Sequence, residues 1–234
     1  MAIEVKSTKN SVKDQGFNIL VIASSGLGKT SLAKSAGKTI VISAEKSDLT
    51  LNDCDIDSIF VSNLRELKEA YLYVEKNKEK YDSVVMDSVT EVGEMIVTEL
   101  KKDPEFASMK DGIKMWMKFS EIMLAIAKSF RDLKGINVII LALPETVKNG
   151  FDDKILPMIP AKKVQAKLQS LYDIVVQIKS DEDGTRNFIC STTGDFDAKD
   201  RSDKLEPTYE YKKNEGLNPI FKAILGKEYK NNCK

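Results

Sequence analysis

Ala23-Ser24-Ser25-Gly26-Leu27-Gly28-Lys29-Thr30 is the stretch that decides the fold. Before it, Phe17 to Ile22 (FNILVI) is a short apolar run of the kind that forms a buried strand. After it, Thr30 to Ala36 (TSLAKSA) reads as the first turns of a helix. A strand, a glycine loop and Lys-Thr at a helix start make a phosphate-binding loop arrangement. Gly26 and Gly28 open backbone angles closed to other residues, so successive N–H groups can turn inward on a polyphosphate. The positive end of the helix dipole would add to them. Ser24, Ser25, Gly26, Leu27, Gly28, Lys29, Thr30 and Ser31 would form this cradle. Lys29 would reach the β- and γ-phosphates, and the Thr30 hydroxyl would ligate Mg²⁺. The usual pattern opens on glycine; Ala23, the mildest replacement, stands there instead, and the Gly-Lys-Thr end is intact.

Length and composition bound what surrounds this loop. The 234 residues, 42% hydrophobic and 31% charged, suit one globular domain. Its core is expected at about 17–205, with a polar N-terminal segment 1–16 and a tail 206–234. No apolar run approaches the roughly 18 residues of a membrane span. The start MAIEVKSTKNSVKDQG lacks an apolar signal region, so a cytoplasmic protein with no membrane contact is expected. Cys54, Cys190 and Cys233 form no C-x-x-C pair, which predicts neither a disulfide framework nor a zinc site. The absence of histidine removes every triad or metal site that needs imidazole. With 36 basic and 36 acidic residues, a nucleic-acid contact must come from a local patch or from assembly.

Outward from the loop, strands alternate with helices. Thr39–Ser43 is a second buried strand ending in Ala44-Glu45, and Ser58–Ser62 a third. Asn63 with Glu66 gives a capping-box-like start to a helix running to about Lys80. Tyr81–Ser88 (YDSVVMDS) is an apolar strand running into Asp87 at its carboxyl end, where ligands bind in a parallel α/β sheet. Asp87 is therefore placed to hold Mg²⁺ or its water shell; a helix N-cap is the bland alternative. A helix at 89–101 and a long amphipathic helix at 112–133 follow, the latter with Trp116 expected in the core. Ile136–Leu143 is another buried strand, and 144–160 reads as irregular. Beyond it come a basic helix with Lys162, Lys163 and Lys167, then two strands, Tyr172–Ile178 and Arg186–Thr192, joined by a hairpin turn. A short helix is expected near 219–225. The pattern predicts an α/β fold with a mostly parallel sheet flanked by helices and a C-terminal antiparallel hairpin.

The loop does not choose among nucleotide chemistries. No Asn-Lys-x-Asp segment of a GTPase is present, and the four arginines (Arg65, Arg131, Arg186, Arg201) are too scattered for the lid of a small-molecule kinase. Glu45 discriminates further. It follows the strand after the phosphate loop, so its carboxylate lies on the ligand edge and could orient an attacking water; a loop glutamate with no role is the alternative.

The set ASSGLGKT, VISAEKSDLTL, YDSVVMDSVT, GINVIILALPE and DAKDRS resembles phage RecA-like ATPases, including Sak-type single-strand annealing proteins, over roughly 17–205. The resemblance implies a RecA-like P-loop NTPase fold, ATP and Mg²⁺, and assembly into a homo-oligomeric ring or filament in a bacterial host cell. It implies single-stranded DNA as a partner and annealing or strand exchange as the outcome, with a single-strand binding protein or other replication protein as a further partner. By the same resemblance Glu45 activates water, while Lys199 and Arg201 reach a neighbouring subunit's γ-phosphate; a solvated charged turn is the alternative for them. DNA loops would fall at about 102–112 and 145–163. Lys148, Lys154, Lys162, Lys163 and Lys167 would contact phosphates, and Trp116 or Phe151 could stack on bases, with core packing the favoured place for Trp116. Relatives commonly carry a polar sensor at the end of the fourth core strand; here Ala142-Leu143-Pro144 stands there with Glu145 next, so either Glu145 substitutes or γ-phosphate sensing is weakened. The rivals are an ATP-gated helicase or recombinase loader with little turnover, and a P-loop kinase.

Overall fold

The strand leading into the phosphate loop is the centre of the sheet. In the computed structural model, which describes residues 16–45, 48–107, 112–149 and 152–233, β1 (Asn18–Ala23) lies between β5 (Asn137–Ala142) and β8 (Ile174–Ser180), parallel to both. On the β5 side follow β4 (Ser83–Asp87), β2 (Thr39–Ser43) and the edge strand β3 (Asp57–Phe60), all parallel. On the β8 side follow β9 (Arg186–Ile189) and β11 (Thr208–Glu210), antiparallel in turn, and the two-residue β10 (Lys199–Asp200) also pairs with β8. The described residues thus form a nine-stranded sheet of order β11-β9-β8-β1-β5-β4-β2-β3, with β10 off that path. Five of the parallel strands are short apolar runs because both their faces are buried.

Alternation along β1 shows the two faces. Leu20 and Ile22 enter one hydrophobic cluster; Ile19, Val21 and Ala23 enter the other. The first cluster is closed by α1 (Leu64–Asn77), α2 (Val89–Lys102), α4 (Ile113–Arg131) and α5 (Lys162–Leu171), with the single turn α3 (Pro104–Ala107) after α2. The second is closed by residues 30–36, by the tail and by α6 (Asn218–Leu225). Phe119, Phe130 and Tyr172 are fully buried on the first face, and Phe188 and Phe221 on the second. Each of the four phenylalanines contributes about 2–3 kcal/mol of burial. The Asn63 side chain accepts the Glu66 N–H at 3.0 Å, and the Glu66 carboxylate reaches back one residue further than expected, to the Ser62 N–H at 2.7 Å.

Several expectations need correction. Thr30–Ser35 is a six-residue 3₁₀ turn, not the start of an α-helix. Gly37, at φ +75°, ends the segment at once, and Ser35 Oγ bonds the Leu32 carbonyl, so little dipole can accumulate. The stretch read as irregular contains a hairpin, β6 (Pro144–Asn149) paired antiparallel with β7 (Asp152–Pro157). Its alternation is masked by charged residues because both strands stand off the main sheet. Trp116 is not a core residue: it is 39% exposed and meets Phe119 edge-on at 5.7 Å. The cysteine expectation also fails, since Cys54 and Cys233 form a disulfide across 179 residues. A local spacing rule does not see a pair that only tertiary structure brings together. Phe151 and residues 108–111 of the 102–112 loop lie outside the described residues.

Candidate nucleotide site

The carboxyl ends of β1, β4 and β2 meet at one edge. Ser43 is in register with Asp87, Asp87 with Leu141, and Ile22 with Ala142. The phosphate loop therefore leaves β1 beside the residues that end its neighbours. Gly26 and Gly28 adopt φ of +80° and +95°, the left-handed angles expected of them.

Thr30 Oγ1 donates to Asp87 Oδ2 at 2.5 Å. Lys29 is buried, and its Nζ donates to the Ser24 carbonyl at 3.2 Å, so the side chain folds back over its own loop. Burial pulls the Lys29 ammonium below its ordinary pKa; the charges of Glu45 and Asp87 oppose that shift. One further ladder bond, Ala44 N–H to the Asp87 carbonyl at 2.7 Å, carries β2 past its end and sets Glu45 beside Ser88. The Ser88 hydroxyl donates to Glu45 Oε1 and also accepts the Glu91 N–H at 3.5 Å, capping α2. Glu45 is exposed while anchored in this way. Glu91 stands close enough for the Glu45 charge to act on it: burial first, then Glu45 and Glu94, raise its carboxyl pKa.

A family model described as an AAA domain matches residues 15–202. The chain belongs to this AAA-domain family of P-loop ATPases. No curated protein matches it. The family makes the chain a nucleotide-binding ATPase domain, and the phosphate loop, Thr30 and Asp87 all lie inside the matched span.

The donor set fits the Mg²⁺ that usually accompanies ATP in such domains. Thr30 and Asp87 offer a hydroxyl and a carboxylate in contact. Beside them the buried Ser43 hydroxyl has no hydrogen-bond partner among the described residues. All are oxygen donors, as a hard cation requires. No group of three or more acidic or cysteine residues that could hold a metal occurs among the described residues. When bound, the ion withdraws charge from the phosphate oxygens.

Other expected residues are placed elsewhere in this ATPase domain. Lys199 Nζ donates to the Ser170 and Tyr172 carbonyls at 2.9 and 2.6 Å, closing the end of α5. Arg201 pairs with Asp173 at 3.0 Å. Both sit where β8 begins, beside Asn18, roughly 17 Å of strand away from the phosphate loop at about 3.3 Å per residue. They do not reach their own chain's loop. Lys148, Lys162, Lys163 and Lys167 are exposed on β6 and α5, whereas Lys154 is held by Asp197 at 2.8 Å. The β6–β7 hairpin springs from the same sheet edge as the loop, since only Leu143 separates β5 from Pro144. Glu145 accepts a bond from the buried Gln165 Nε2, joining hairpin to α5.

Sequence reasoning missed Ser88, Glu91 and Tyr211. Ser88 was legible as a helix cap; Glu91 and Tyr211 carry no motif. No helix among the described residues is long and apolar enough to cross a membrane.

Proposed function

We propose that this domain binds Mg·ATP, hydrolyses it with Glu45 orienting the attacking water, and uses the cycle to bind and release single-stranded DNA during annealing or strand exchange, in a bacterial host cell infected by phage. The observation that supports it best is the convergence of Lys29, Thr30, Asp87 and Glu45 on one sheet edge. Lys29 neutralises the phosphates, and the loop N–H groups hold the leaving diphosphate. Glu45, already an acceptor for Ser88, exchanges that donor for water when the γ-phosphate arrives. The exposed lysines of α5 and the hairpin supply a local basic surface on a chain of zero net charge. Glu145 and Gln165 link that surface to the nucleotide edge and so take the place of the missing sensor. In a ring or filament of copies, Lys199 and Arg201 would have to leave the Ser170 and Tyr172 carbonyls and Asp173 to reach a neighbour's γ-phosphate.

The test is ATP turnover with and without single-stranded DNA, with Glu45→Gln alongside. Stimulation by DNA that disappears in Glu45→Gln is expected. Turnover indifferent to DNA refutes the recombination reading. Binding of ATP without turnover in either condition favours a loader or adaptor for a helicase or recombinase. The balanced charge and the Lys154–Asp197 pair, which removes one lysine from the surface, speak for that second reading. ADP formation that needs a small-molecule acceptor would indicate a kinase.

A further inference from the structure

The family match ends at residue 202, yet the phosphate loop is buttressed by the segment that follows. Tyr211 comes directly after β11 and is 6% exposed. Its ring packs edge-on against Phe188 at 5.4 Å. Its hydroxyl donates to the Gly28 carbonyl at 3.2 Å and shares a hydrogen bond with the Ser31 side chain. A Cβ on Gly28 would lie 2.7 Å from that hydroxyl, so ring and loop are in direct contact.

The Gly28 carbonyl and the Lys29 N–H belong to one peptide plane and point in opposite directions. Fixing the carbonyl outward on Tyr211 aims the Lys29 N–H into the cradle. Donation to the carbonyl also polarises that peptide and strengthens its N–H as a donor. Gly28, at φ +95°, has the freedom to let this plane rotate, and Tyr211 removes that freedom. The same segment holds the turn behind the loop. The Leu217 N–H donates to Ser35 Oγ at 2.9 Å, and the Asn232 N–H to the Lys34 carbonyl at 2.9 Å.

We propose that Tyr211 is a positioning residue for nucleotide binding, which orients the Gly28–Lys29 peptide toward the β-phosphate from a segment outside the AAA-domain match. This rests on the nucleotide-site reading above. Because the oriented N–H serves a phosphate present in both ATP and ADP, the role predicts a change in affinity for both nucleotides and in KM, with kcat at saturation retained.

The experiment measures Mg·ATP and Mg·ADP affinity by titration calorimetry, with thermal midpoints and steady-state turnover, for the wild-type chain, Tyr211→Phe and Tyr211→Leu. Tyr211→Phe keeps the ring and is expected to weaken both nucleotides about 3- to 10-fold, the scale of one lost hydrogen bond, with its thermal midpoint lowered by no more than about 4 °C. Tyr211→Leu is expected to lose both affinity and thermal stability, so that Phe restores the stability and not the affinity. Wild-type affinity in Tyr211→Phe overturns the proposal, as does a loss confined to kcat. An affinity loss that tracks the thermal midpoint across both variants also overturns it, by making the role merely structural. Failure of the wild-type chain itself to bind ATP would overturn the nucleotide site as a whole and is seen before any variant is compared.

Discussion

Reducing the Cys54–Cys233 bridge should destabilise the protein without loosening its nucleotide site. The two cysteines are 179 residues apart in a chain of 234, so the bridge closes about three-quarters of it into one loop in the unfolded state. For a loop of that size the chain-entropy relation gives roughly 18 cal/mol/K, or about 5 kcal/mol at 25 °C, as a ceiling. In the native state the bridge is not the main thing that holds the tail. The Asp55 N–H donates to the Asn232 carbonyl at 3.1 Å, the Asn232 N–H reaches the Lys34 carbonyl at 2.9 Å, and Asn232 Nδ2 reaches the Gly37 carbonyl at 2.5 Å. Reduction therefore acts on the unfolded ensemble and leaves the folded contacts in place. With a urea m-value of about 3 kcal/mol/M, a loss of 2–5 kcal/mol lowers the unfolding midpoint by about 0.7–1.7 M. The assay is urea unfolding of oxidised protein, reduced protein and Cys54→Ser, with thiol titration to establish the bridge and ATP titration to follow the site. Coincident midpoints for a demonstrably bridged and a demonstrably reduced sample would refute the entropic argument. A fall in ATP affinity on reduction would refute the claim that the tail is held without the bridge.

Three further outcomes are expected. Gly28→Ala meets both a left-handed φ of +95° and the Tyr211 hydroxyl at 2.7 Å, and should cost about 2–4 kcal/mol in thermal or urea unfolding; a cost below about 1 kcal/mol would mean the loop relaxes freely. Burial pushes the Cys190 thiol up to about 12, so this cysteine should resist maleimide at pH 8 in the native protein and react only on unfolding; rapid native labelling would contradict its burial. Burial lowers the Lys29 pKa below 10.5, so the folded state gives up its Lys29 proton at lower pH than the unfolded state does. The unfolded state then binds more protons in that window, and stability rises with pH through it. The thermal midpoint of nucleotide-free wild type relative to Lys29→Met should accordingly increase as the pH is raised toward 10.5; a flat or falling difference up to that pH would contradict the desolvation.

Elements whose signal is local were legible in the sequence. FNILVI, TIVIS and INVIILAL are apolar on both faces because both faces of the sheet are covered, and each becomes a parallel strand within one or two residues of its expected limits. The strand-to-acid junctions placed Asp87 and Glu45 on the loop's edge because parallel strands end on the same side. What escaped depended on contacts across the chain. The alternation of the β6–β7 hairpin is masked by charged residues, since it stands off the main sheet and is pinned by single bonds such as Ile155 N–H to the Asp195 carbonyl at 2.7 Å. Lys199 and Arg201 fall within a charged turn whose partners, the α5 carbonyls and Asp173, come from 27 to 29 residues earlier.

The tail shows why a motif alone understates this site. A phosphate loop is a set of backbone donors, and backbone donors have no fixed aim unless something holds their carbonyls. In this chain the six-residue 3₁₀ turn after the loop offers little dipole and few bonds of its own. Residues 211–232 supply the missing restraint, through Tyr211 on Gly28, Leu217 on Ser35 and Asn232 on Lys34 and Gly37. The dipeptide Gly28-Lys29 is recognisable at a glance, but its geometry is set more than 180 residues later, by a tyrosine whose type and position nothing in the motif requires.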